Sequence, residues 1–524
     1  RTPRTMRAIG ATSLSSGATA LLAAGAAALA AAAALRLLAK RRLPKPPTKG
    51  APKATTGPGS LCACVPTDRC VLLLLDPEAD PRLDALAQSF CGQVVRGPSE
   101  LPPVEGKTVY LCGDVGAAPR AVLARASAVV VVRELSRGAG PWPQVGEAQV
   151  PLLLHGVAVL YRQLFHPSEA HYARVRASHV FQRLTESTKP GAAHRTGVYI
   201  ARVEADGDGR RFGLLRCSSN LTGPTVNLAA CDEEILGAVN TEVARALPGC
   251  APANHVLAQV YANEPPADYT GKAVKARIKA HSDKTKDMPA DGLLAFCTFY
   301  GPTAHLAPLP APADPLDLGL QGASALARMH FRRKAGAPRG LRERFEVTLL
   351  PGSVLLVPLA TNALYTHELR PSRLDPAVLP TRLGYVARCS AAAAVHAGGR
   401  TFLEVPGGLA PLEAPTPEGM RALRALYAQE NRLVAPPPYA LQAPWTFSMN
   451  TGDYGCPKLS DTGEAFRAVR LEGALEEVLG EVLGVRLAEL GPGRHGGVFA
   501  RPDPARGTPL VRTSDRRPAP ARRF

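Results

Sequence analysis

No Cys-x-x-Cys pair occurs among the eleven cysteines of this 524-residue chain. The one close pair, Cys62-Ala-Cys64, has poor spacing for a structural zinc site. Scattered cysteines of this kind point to free thiols in a reducing compartment, not to a disulfide framework. The sequon Asn220-Leu-Thr222 is therefore expected to stay unmodified. No Walker loop and no Gly-x-Ser-x-Gly elbow appears, which removes P-loop nucleotide chemistry and the usual serine-hydrolase arrangement. Gly491-Pro-Gly-Arg-His-Gly496 spells a dinucleotide fingerprint, but it follows a helical stretch instead of joining strand to helix, so the fingerprint's mechanism is missing. Acidic residues are absent from residues 1–60, which hold ten Lys and Arg, and residues 501–524 hold seven Arg against two Asp. These tails carry +10 and +5 of the formal +18, so the body is close to neutral and the charge argues only weakly for nucleic acid.

The length allows two or three domains, and 48 Gly with 50 Pro imply many loops. Residues 1–60 read as a targeting or anchor segment and linker. Arg1, Arg4 and Arg7 precede the Ala/Leu run 17–35, and Arg36, Lys40, Arg41 and Arg42 follow it. Three readings stay open: a membrane anchor of about twenty apolar residues, an acid-poor transit peptide to an organelle, and an Ala-rich solvated helix. Residues 61–190 read as a small α/β region, with strands at 70–75, 108–112 and 128–132 and helical spacing at 81–91 and 117–126. From 191 to 435 the pattern changes to antiparallel β. Asp206-Gly-Asp-Gly209 marks a hairpin, 226–247 an amphipathic helix ended by Pro248-Gly249, and short strands then crowd from Val256 to Val405. One helix before such a run fits a two-sheet jelly roll. The fold class is thus α+β, a double-stranded β-helix core with flanking helices. Residues 436–500 read as a C-terminal helical region, helical at 464–490, and 501–524 as a basic disordered tail.

Within the β region, His281-Ser-Asp283 is followed in order by His367, Arg382 and Arg388. Two histidines and one carboxylate can hold one face of a ferrous ion and leave positions open. Arginines after the second histidine can hold a dicarboxylate beside it, because a planar guanidinium makes paired hydrogen bonds to carboxylate. On a strand, Arg382 and Arg388 share a face. Each residue also has a plainer reading: His281 as a surface histidine among Lys279, Lys284 and Lys286, His367 as a core histidine, and Arg388 as half of an edge ion pair. Asp287 reads as a solvated loop acid, and His330 with Arg332–Lys334 as a solvated strand end.

The chain here resembles the Fe(II)/2-oxoglutarate-dependent dioxygenases, and within them the AlkB-like group. His281-Ser-Asp-Lys284, the Gly352–His367 segment and Arg382-x5-Arg388 match the group's motifs in order, and Gln259-Val-Tyr261 is similar to its Asn-x-Tyr. The resemblance spans roughly residues 250–390. It implies Fe(2+) on His281, Asp283 and His367. It also implies 2-oxoglutarate as co-substrate held by Tyr261, Arg382 and Arg388, with Arg382 on the distal carboxylate and Arg388 by the metal-proximal one, or the two arginines exchanged, and dioxygen as the second co-substrate. The chain departs from the group in a longer insertion between Asp283 and His367, in Ser353 for the usual Asp, and in lacking an aromatic lid to stack a nucleobase. The expected activity is hydroxylation or oxidative demethylation of a protein, lipid or small molecule. A nucleic-acid demethylase and a non-catalytic jelly-roll binding protein are the alternatives.

Overall fold

The computed structural model describes residues 67–75, 82–135, 141–185, 192–216, 221–263, 275–435, 437, 439 and 445–459. All lie in the compact unit Arg1–Ser460. The segments expected at 1–60, the helix at 464–490, the fingerprint at 491–496 and the tail beyond 500 lie outside the described residues. Among those described, no helix is long and apolar enough to cross a membrane, and the cysteines form no disulfide.

Strands β1 (Cys70–Leu75), β2 (Gln93–Val95), β3 (Thr108–Gly113) and β4 (Ala128–Glu134) form a parallel sheet in the order β2-β1-β3-β4. The unbroken apolar run of β1 is buried along its whole length, as a parallel strand covered on both faces requires. Helices α1 (Arg82–Ser89) and α2 (Arg120–Leu123) belong to this layer.

The centre of the molecule is an antiparallel sheet of eight strands: β5 (Leu152–Leu154), β6 (Ala158–Tyr161), β7 (Gln182–Thr185), β8 (Ala192–Ala201), β11 (His255–Tyr261), β13 (Leu293–Tyr300), β19 (Val354–Pro358) and β21 (Arg382–Arg388). Their order is β5-β6-β19-β13-β21-β11-β8-β7. Residues 152–161 thus join this sheet through the β6–β19 ladder, although their sequence position groups them with the small α/β layer. One face packs on α3 (Ser168–Ser178) and α4 (Ala230–Ala246), whose Ile235, Leu236, Val239 and Val243 meet Val256, Ala258, Leu383, Tyr385 and Ala387. The apolar i, i+4 stripe explains which side of α4 is buried. Asp232 accepts the Ala229 amide at the helix start, and Gly249 turns the chain after its end at a φ of 96°.

The opposite face packs on a second antiparallel sheet, β12 (Ile278–His281), β17 (Arg328–Arg333), β18 (Arg344–Thr348) and β20 (Tyr365–Arg370), ordered β12-β20-β17-β18. Phe296, Leu355 and Val357 of the large sheet share one core with Met329, Phe331, Phe345 and Tyr365 of the small one. Two antiparallel sheets face to face are compatible with the expected double-stranded β-helix. The expected hairpin is present, joining β9 (Val203–Asp206) to β10 (Gly209–Leu214), with Gly207 at a φ of 57°. These two strands continue into β22 (Ala392–Ala397), β23 (Arg400–Val405) and β24 (Gly408–Pro411), and the insertion before His367 adds a ribbon, β14 (Ala307–Pro308), β15 (Leu318–Leu320) and β16 (Ala323–Ser324). Helix α5 (Leu359–Leu364) leads into β20, and α6 (Pro417–Arg432) follows β24.

Candidate metal centre

Both sheets line one cavity of about 320 Å³. Alternation along β21 sends Leu383, Tyr385 and Ala387 to the helix-covered core and Arg382, Gly384, Val386 and Arg388 into this cavity. The small sheet contributes His281 at the end of β12 and His367 on β20, which stand opposite each other in the ladder. Asp283 lies two residues beyond β12, in the loop that leaves it.

These three residues offer ligand atoms within 4.8 Å of one another, and they are the one such group among the described residues. The Nε2 atoms of His281 and His367 lie 3.3 and 3.6 Å from the same oxygen, Asp283 Oδ1. The other oxygen, Oδ2, accepts from Arg388 Nη2 at 2.6 Å. His281 Nδ1 is 2.9 Å from the Lys279 carbonyl. A carbonyl can only accept, so Nδ1 carries a proton, and Nε2 is the ring nitrogen turned to Asp283. Two imidazole nitrogens gathered at one carboxylate oxygen form a donor set that can receive a cation, and the Lys279 contact fixes the His281 ring as outer partners of metal-bound histidines do. The donor set of two imidazoles and one carboxylate suits ferrous iron.

The electrostatics agree with this reading. Burial works against ionisation of Asp283, but the Arg388 guanidinium beside it outweighs burial and holds the carboxyl far below its ordinary range. Burial pushes His367 down to about 3, with His281 adding to the effect, so this imidazole is neutral and available as a ligand. His255, opposite Arg388 in the ladder, is also pushed down to about 3 by burial and by Arg388.

The ligand loop is held from two sides. Asn362 of α5 accepts the Asp283 amide at 2.9 Å and donates to the Asp283 carbonyl at 3.0 Å, as a neighbouring strand would. The end of α6 supplies Asn431, which accepts the Ser282 amide at 2.8 Å, and Glu430, which accepts the Thr285 amide at 3.0 Å. Leu423, Leu426, Tyr427 and Glu430 form the buried stripe of that helix. Asn362 stood in the sequence segment leading to His367, but nothing in its spacing distinguishes a loop clamp from any other asparagine. Asn431 carried no signal at all.

At the other end of the cavity, Tyr261, Arg382 and Tyr300 form one cross-strand row. The Arg382 guanidinium lies 4.1 Å from the centroid of the Tyr261 ring, and the Tyr261 hydroxyl donates to Gln259 Oε1 at 2.8 Å. Arg382 is 7 % exposed, and its Nε has no hydrogen-bond partner. The side chain folds back over Gly384, where a Cβ would stand 2.9 Å from Arg382 Nη1.

Two surface readings are corrected. Asp287 is 7 % exposed, with Arg216 donating to it from its amide, Nε and Nη2 and Lys286 Nζ donating at 2.9 Å. It anchors the loop after the ligands to β10, against the expectation of a solvated acid. Lys334 is also buried, at 5 %, and donates to the Glu430 and Leu433 carbonyls, so it caps α6 instead of ending a strand in water. His330 is half-buried and Arg332 exposed.

No protein-family model matches the chain, and no curated protein matches it. Among solved structures, it is similar to the non-heme alpha-ketoglutarate-dependent epimerase SnoN from nogalamycin biosynthesis, at 12 % identity over 46 % of this chain and 79 % of that one, with a TM-score of 0.26. It is also similar to OsALKBH1, at 13 % identity over 44 % of this chain and 96 % of that one, with a TM-score of 0.24.

Proposed function

We propose that this chain is an Fe(II)- and 2-oxoglutarate-dependent dioxygenase that hydroxylates or oxidatively demethylates a protein, lipid or small molecule. The observation that carries the reading is the pairing of two features in one cavity. The convergent His281, Asp283 and His367 offer a cation site, and the buried Arg382, with an unsatisfied Nε, offers an anion site on the same strand face as Arg388.

His281, Asp283 and His367 would hold the ferrous ion, which when bound with 2-oxoglutarate supplies the power to activate dioxygen and oxidise a carbon–hydrogen bond. Arg382 would take the distal carboxylate of 2-oxoglutarate, its plane fixed by stacking on Tyr261. Arg388, which the resemblance gives to the metal-proximal carboxylate of 2-oxoglutarate, donates to Asp283 Oδ2, so its charge would hold Asp283 ionised and leave Oδ1 for the metal. Phe296, Leu257 and Val386 keep the floor between these sites apolar.

Among the described residues, Tyr261 and Phe296 are the phenyl rings lining the cavity, and neither offers a ready platform for a nucleobase. Arg382 covers Tyr261, and Phe296 packs edge-on to His367 at 5.3 Å. This favours a protein, lipid or small-molecule substrate over nucleic acid. The test is succinate release from the full chain with ferrous iron and 2-oxoglutarate across substrate classes. Release that needs both and vanishes in Asp283→Ala supports the reading; no iron- and 2-oxoglutarate-dependent succinate with any class refutes it.

A further inference from the structure

Arg382 has a neighbour that this chemistry leaves unused. Arg195 of β8 stands opposite Tyr261, and Tyr261 stands opposite Arg382, so the three residues make one row across the sheet. Directly opposed residues project on the same side, and strands two apart are separated by roughly 10 Å. Arg195 lines the cavity, and its Nε, like that of Arg382, is buried without a hydrogen-bond partner. Among the described residues, the cavity's cationic side chains are Arg195, Lys284, Arg382 and Arg388, and Asp283 is the single carboxylate lining it. That carboxylate is already held by Arg388. A ferrous ion and a 2-oxoglutarate dianion cancel each other's charge, so binding both leaves the cationic excess in place. A guanidinium kept from water without a counter-charge is costly.

We propose that Arg195 receives an anionic group of the primary substrate, a carboxylate or a phosphate, while the apolar body of that substrate runs along β11 toward the metal position. The inference rests on the co-substrate reading, which gives Arg382 to 2-oxoglutarate. The cavity face of β11 supplies the path. From the Arg195 row it presents Gln259, then Leu257, and reaches the row of His255 and Arg388 beside Asp283. Co-substrate on β21 and substrate on β11 then occupy neighbouring lanes, each with its own guanidinium.

The experiment uses the full chain with redox-inert zinc and 2-oxoglutarate, and measures binding of octanoate, octyl phosphate and octanamide by calorimetry. The anions should bind on the order of 10- to 100-fold tighter than the amide, and the tighter of the two names the group. Arg195→Met should erase that preference while keeping 2-oxoglutarate affinity, which also shows that the variant is folded, and Arg195→Lys should restore part of it. Equal binding of octanamide and octanoate, or a preference that survives Arg195→Met, overturns the proposal. So does an Arg195→Met variant that loses 2-oxoglutarate as Arg382→Met does, which would put both arginines on the co-substrate. Absence of binding by either octyl anion while 2-oxoglutarate binds removes the anion site and leaves the co-substrate reading standing. Arg195-dependent octanoate binding without any 2-oxoglutarate binding does the reverse. If neither molecule binds, both readings fall.

Discussion

Arg388→Met is the most informative single change at the metal centre. Asp283 is 6 % exposed, and its Oδ2 meets Arg388 Nη2 at 2.6 Å. At an effective dielectric of 20, unit charges at that separation attract by about 6 kcal/mol. Part of this is offset by the cost of taking both groups out of water. Removing one partner of such a buried pair typically costs about 3–5 kcal/mol, because the other charge is left uncompensated. Metal-free Arg388→Met should therefore melt lower than the wild type by roughly 5 °C. A divalent ion between His281, Asp283 and His367 supplies the missing counter-charge, so saturating zinc should raise the melting temperature of the variant more than that of the wild type. The pH sign follows from the same pair. The depressed carboxyl contributes stability that is present above its ordinary value of 3.8 and is lost as the pH falls below it. Arg388→Met should show a smaller acid loss than the wild type. The measurement is differential scanning fluorimetry with and without zinc across pH 3–8. Equal melting of the two metal-free proteins, or equal zinc shifts, would refute the assignment of Arg388 as the partner of Asp283.

Asp283→Ala should abolish metal binding, read by metal analysis after desalting; retained stoichiometric metal would remove Asp283 from the ligand set. Arg382→Met should weaken 2-oxoglutarate binding roughly 10- to 150-fold in calorimetry, with zinc binding preserved and only partial rescue by Lys; an unchanged affinity would take Arg382 off the co-substrate. Gly384→Ala should act in the same direction without unfolding the sheet, since its Cβ would meet the movable end of Arg382; an unchanged 2-oxoglutarate affinity would show that this guanidinium need not lie over Gly384. Burial raises Asp453 to about 7, against hydrogen bonds from Ser448 and Asn450. The folded chain thus holds an extra proton between about 3.8 and 7, and stability from this group falls as pH rises through that window. Asp453→Asn should flatten that decline in melting temperature, and parallel pH profiles for both proteins would contradict it.

The sequence by itself determined the parts of the fold that follow from local pattern. A continuous apolar run made β1 a doubly covered strand, an i, i+4 stripe made α4 a one-sided helix, and Asp206-Gly-Asp-Gly209 made a hairpin. It also determined the order of the chemistry-bearing residues and, through the two-residue period of a strand, the shared face of Arg382 and Arg388. Proximity was decided elsewhere. The ladder that sets His281 opposite His367 joins residues 86 positions apart, and the one that sets Arg195 opposite Tyr261 joins strands with a helix between them. Such registers are settled by which faces become buried against each other, not by any short stretch of sequence. The same holds for Asp287 and Lys334, whose charges look solvated in sequence. Asp287 is buried because Arg216, in the segment that leaves β10, reaches it from a distant part of the chain, and Lys334 because the free carbonyls ending α6 need a donor.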